Sequence, residues 1–90
     1  MSPSQRMVYS AGNGEVEVYE VQIPQEWEGH TLGELMEPLK QCYPVALSRT
    51  GHSLLPEASI RLQTGDMLDV SSTFDGISEL TVRLSKKAEA

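Results

Sequence analysis

The sequence has one cysteine, little positive charge and no apolar run long enough to cross a bilayer. Each shortage removes a class of protein. Cys42 alone cannot close an internal disulfide, and no companion cysteines stand by it to build a thiolate metal site, which fits a reducing compartment. A membrane helix needs about 20 apolar residues, and the opening Met-Ser-Pro-Ser-Gln-Arg carries no apolar signal core. Direct membrane insertion is therefore not expected, and a cytoplasmic location is. Lys and Arg number 7 against 13 Asp and Glu, a formal net charge of −6, with the acids spread along the chain. Nucleic acids and anionic membranes select a basic footprint, so neither is expected as a partner.

What is present is an ordinary globular composition, 39% hydrophobic and 22% charged over 90 residues, enough for one domain with one small core. No internal repeat or low-complexity tract appears. Residues 1–14, with Ser-Pro-Ser at one end and Ala11-Gly12-Asn13-Gly14 at the other, read as a flexible lead-in in which only Met7, Val8 and Tyr9 suit a sheet. The alternation over residues 15–23 predicts a strand, with a change of phase near Tyr19 that a β-bulge or burial on both faces would explain. Trp27, in the following loop, reads as an apolar plug folded onto the core rather than a ligand-stacking ring.

Thr31 followed by Glu34 is a capping box, and Leu32, Leu35, Met36 and Leu39 fall at i, i+3, i+4 and i+7, so a core-facing helix starts there. Pro38 should keep it short or kink it, because proline removes a helix hydrogen bond. Cys42 reads as a small buried hydrophobe rather than a reactive thiol. Residues 44–55 predict a hairpin turning at Thr50-Gly51, with Val45, Leu47, Leu54 and Leu55 as core candidates and Arg49 and His52 flanking the turn. Ile60 and Leu62 alternate as another short strand. Gly65-Asp66 turns the chain into a strand through Leu68 and Val70, and Ile77, Leu80 and Leu84 define a second helix after the Ser71-Ser72-Thr73 caps. Gly76 weakens that helix by ~1 kcal/mol relative to alanine. The sum is an α+β domain over residues 15–85, a single-layer sheet of four to five short strands with two helices in βαβββα-like order, followed by a frayed tail over 86–90.

Four segments in order resemble the RCK C-terminal domain, or TrkA-C, of potassium-channel regulators and related transporters. They are Gly29-His30-Thr31-Leu32-Gly33-Glu34-Leu35, then Val45-Ala46-Leu47-Ser48-Arg49-Thr50-Gly51, then Pro56, then Leu62-Gln63-Thr64-Gly65-Asp66-Met67-Leu68-Asp69-Val70. The resemblance covers residues 15–84. It departs where the family usually carries a glycine after the last strand and this chain has Ser71-Ser72. The family's domain also normally follows a Rossmann-type domain or a membrane transporter, neither of which stands in these 90 residues, so the chain is either an excised fragment or a stand-alone module that acts on a separate chain.

The resemblance implies a ligand-sensing regulatory domain that forms a homodimer and controls a membrane cation channel or transporter. The ligand would sit at the dimer interface and in some members is cyclic di-AMP. The candidate binding positions are Arg49, which stands at the matched Arg-x-Gly, with His52, Ala46, Leu47 and Pro56 beside it; Arg49 suits phosphate because a guanidinium donates two parallel hydrogen bonds, and His52 could assist or stack on a base without matching a family motif. A ligand-free dimerisation or adaptor module that binds a transporter or another protein is the alternative. An enzyme is not expected. No nucleophile, base and acid fall in a supported order, no metal-ligand spacing or phosphate loop occurs, and His30 and His52 lie in different loops.

Overall fold

Period-two alternation over Val16–Gln22 and Met67–Ser72 builds the centre of the molecule, where the two segments pair as antiparallel strands. A computed structural model describes the backbone of residues 5–11 and the whole of residues 15–86. Among these, five strands form one sheet: β1 (Gln5–Ala11), β2 (Val16–Gln22), β3 (Cys42–Arg49), β4 (His52–Leu54) and β5 (Met67–Ser72), in the order β1-β2-β5-β3-β4 with every pairing antiparallel. Two helices complete it, α1 (Leu32–Met36) and α2 (Phe74–Leu84), giving a small α+β single-sheet domain. The lead-in expected over 1–14 thus contributes a strand, its backbone hydrogen-bonded to β2. Residues 1–4, 12–14 and the tail beyond 86 lie outside the described residues.

The core occupies one face of the sheet. Val21, Leu47, Leu68 and Val70 from the strands meet Leu32 and Leu35 of α1 and Ile77, Leu80 and Leu84 of α2, all essentially without solvent contact. Burying each such side chain contributes about 1.5–3 kcal/mol. The phase change in β2 is burial on both faces: Val21 is buried in the core, while Val18, of opposite parity, is buried on the other side. Pairing of β2 with β5 runs through without a break. A bulge does occur at this level, in neighbouring β1 between Met7 and Tyr9, opposite Tyr19 and Val18.

Helix α1 stops at Met36, two residues before Pro38, and Leu39 packs on the core from the loop beyond. The capping box is formed in full: the Glu34 N–H donates to Thr31 Oγ1 and the Thr31 N–H donates to Glu34 Oε1, both at 3.1 Å. Helix α2 is capped by Thr73, whose hydroxyl accepts from the Gly76 N–H at 3.0 Å. Gly76 reads from sequence only as a weak helix position. A Cβ there would collide with the Gln41 carbonyl and the Ser72 hydroxyl, so glycine is what lets α2 dock against the start of β3.

Three expectations are corrected. Residues 60–62 form no strand; an isolated bridge joins Thr31 to Arg61, and Leu62 is buried from a loop. Val45 is not a core residue: β3 bulges between Pro44 and Ala46 against β5, and Val45 stands 49% exposed. Leu54 and Leu55 are also outside the core, because β4 is the sheet edge beyond the reach of the short α1, and Leu55 is 79% exposed.

Candidate functional site

The tight hairpin between β3 and β4 is closed by Thr50 and Gly51, both at positive φ, 47° and 82°, as a two-residue primed turn requires. It sets Arg49 and His52 directly opposite each other across the two strands. Arg49 then reaches back. Its Nε donates to Asp66 Oδ1 at 2.9 Å, and its Nη2 donates to Asp66 Oδ2 and to the Arg61 carbonyl, both at 2.8 Å.

Asp66 is the centre of this clasp. It is buried to 2% exposure, and its Oδ2 also accepts from the Gln63 N–H at 2.8 Å, closing the turn that Gly65 makes at φ 90°. The backbone completes the tie: the Ile23 N–H donates to the Asp66 carbonyl and the Gly65 N–H donates to the Ile23 carbonyl, each at 2.8 Å. The ends of β2 and β3 and the start of β5 are therefore knotted at one point. A buried carboxylate is tolerable only when paired and hydrogen-bonded, and both conditions are met here. The carboxylate in turn raises the Arg49 pKa above its ordinary value, through its hydrogen bonds first and its charge second.

The other positions marked by the sequence separate by face. Leu47 is fully buried in the core, and Ala46, the next residue on β3, points to the opposite side of the sheet. Pro56 is half-buried in the loop after β4, and His52 is exposed on the edge strand. Arg49 and His52 are brought together, whereas Ala46 and Leu47 cannot line one surface. The residue missed from sequence is Asp66. It reads there as a turn residue, and nothing in local spacing announces a partner 17 positions away.

A second polar knot joins the helices. The buried Trp27 donates from Nε1 to the carbonyls of Arg83 (3.2 Å) and Lys86 (3.1 Å), capping the end of α2. Arg83 lies 4.9 Å above the Trp27 ring and donates to the Leu35 carbonyl at 2.8 Å and the Glu34 carbonyl at 2.9 Å, capping α1. His30 meets the indole edge-on at 5.5 Å, and its Nδ1 lies 3.1 Å from Glu34 Oε2. The expected packing role of Trp27 thus carries a helix-capping role with it.

Beside α2 lies a shallow, mostly apolar groove of about 370 Å³ lined by Pro38, Leu39, Ser78, Glu79 and Val82. Among the described residues no three His, Cys, Asp or Glu side chains gather as a metal site, and no helix is long and apolar enough to cross a membrane. Cys42 is buried, and that burial pushes its thiol pKa up, away from reactivity. No protein-family model matches this chain, and neither does any curated protein.

Proposed function

We propose that this chain is a regulatory domain of cation transport that acts by pairing two copies through the β3–β4 end of the sheet. The observation that carries the reading is exposed apolar side chains at this edge that the core does not use: Leu54 is 37% exposed and Leu55 79%, on β4 and just beyond it, and Val45 at the β3 bulge is 49% exposed. Exposed apolar residues at the edge strand of a small domain suit an association surface. The short edge strand β4 adds unpaired backbone groups to it. Two paired copies have more than one relative orientation, and an attached or associated cation channel or transporter would respond to which one is populated.

A nucleotide-sensing form of the same function is the second reading, favoured by the juxtaposition of Arg49 and His52 at this end. An anionic nucleotide such as cyclic di-AMP held between two hairpins would bias the pairing. Arg49 already spends Nε and Nη2 on Asp66 and Arg61, so it would act mainly by holding the turn in shape while His52 and the turn amides face the ligand.

Light scattering across a concentration series tests the pairing. A dimer that Leu55→Asp converts to monomer is expected, and a wild-type chain that stays monomeric at every concentration overturns the proposal. Thermal denaturation with cyclic di-AMP separates the two forms of it. A ligand at 100 times its Kd stabilises by about 2.7 kcal/mol, so an unmoved midpoint leaves the ligand-free module.

A further inference from the structure

We draw no further inference here: the strongest candidate, the shallow apolar groove beside α2 lined by Pro38, Leu39, Ser78, Glu79 and Val82, with Phe74 exposed on the same helix, carries nothing because nothing in the structure shows what covers it.

Discussion

The two polar knots hold different elements of the molecule by different physics. At the Arg49–Asp66 clasp a charge is taken out of water and satisfied by a forked guanidinium and a backbone N–H. At the Trp27–Arg83 knot no charge is buried. An indole N–H and a guanidinium cap helix-end carbonyls, groups left without partners by helix geometry. The clasp is thus all-or-none, because half of it is worse than nothing, whereas the helix knot can lose one bond and keep the others. That difference orders the effects of mutation.

The largest effect is expected at the clasp. Asp66→Ala leaves Arg49 facing a dry turn, and removing one partner of a buried pair costs about 3–5 kcal/mol. Arg49 is 24% exposed, which places this case at the low end, about 3 kcal/mol and a midpoint drop of more than about 10 °C. Arg49→Ala should do nearly as much, and the double variant little more than either, as urea denaturation of the four proteins would show. Additive losses would mean that the two residues act separately and that the contrast between the knots is false.

Next comes Gly76→Ala, which sharpens the helix side of the comparison. Alanine improves helix propensity by about 1 kcal/mol, yet its Cβ must displace the Gln41 carbonyl and the Ser72 hydroxyl, both fixed by their own bonds. Overpacking dominates, and a net loss of about 2–3 kcal/mol is expected in the same denaturation assay. A gain in stability would show that α2 docks loosely and that packing against β3 does not position it.

Much of this architecture is legible in the residues themselves, and the exceptions share a cause. The capping box at Thr31, the stop before Pro38, the Thr50-Gly51 turn and the Leu80-Leu84 stripe are local, and local rules read them. Val45 and Leu55 defeat the same rules because an apolar residue in a strand is assigned to the core until the sheet order and a bulge say otherwise. Arg49 is the instructive case in the site. The residue picked out as an anion donor has an anion already, supplied by the chain at a distance of 17 residues, and only the fold brings the two together. The Gly76 requirement is invisible for the same reason, since Gln41 lies on another element.

A smaller loss is expected from Trp27→Phe. The ring stays buried, but the carbonyls of Arg83 and Lys86 lose their donor, which costs about 1–2 kcal/mol at a partly buried helix end. Because Arg83 still caps α1, unfolding should remain cooperative. A loss as large as that of Asp66→Ala would erase the distinction between the knots.

The smallest effect is in the acid limb of stability, and it isolates the exposed hydrogen bonds from both knots. Glu34 has its pKa lowered by hydrogen bonds from His30 and then Thr31, and Glu28 by hydrogen bonds from the Thr64 hydroxyl and N–H. Each therefore stabilises the fold at pH values above the ordinary glutamate value of about 4.3, and the contribution is lost as pH falls through the lowered folded-state value. The clasp shows the opposite sign from the arginine side: a raised guanidinium pKa gives stability that is lost only as pH climbs through that raised value, far into the alkaline range. Melting curves between pH 3 and 7 should fall gently below about 4.3. The fall should flatten in Glu34→Gln and Glu28→Gln, whose amides no longer titrate. An acid limb unchanged in both variants would assign it to other carboxylates and leave the two capping interactions without a role in it.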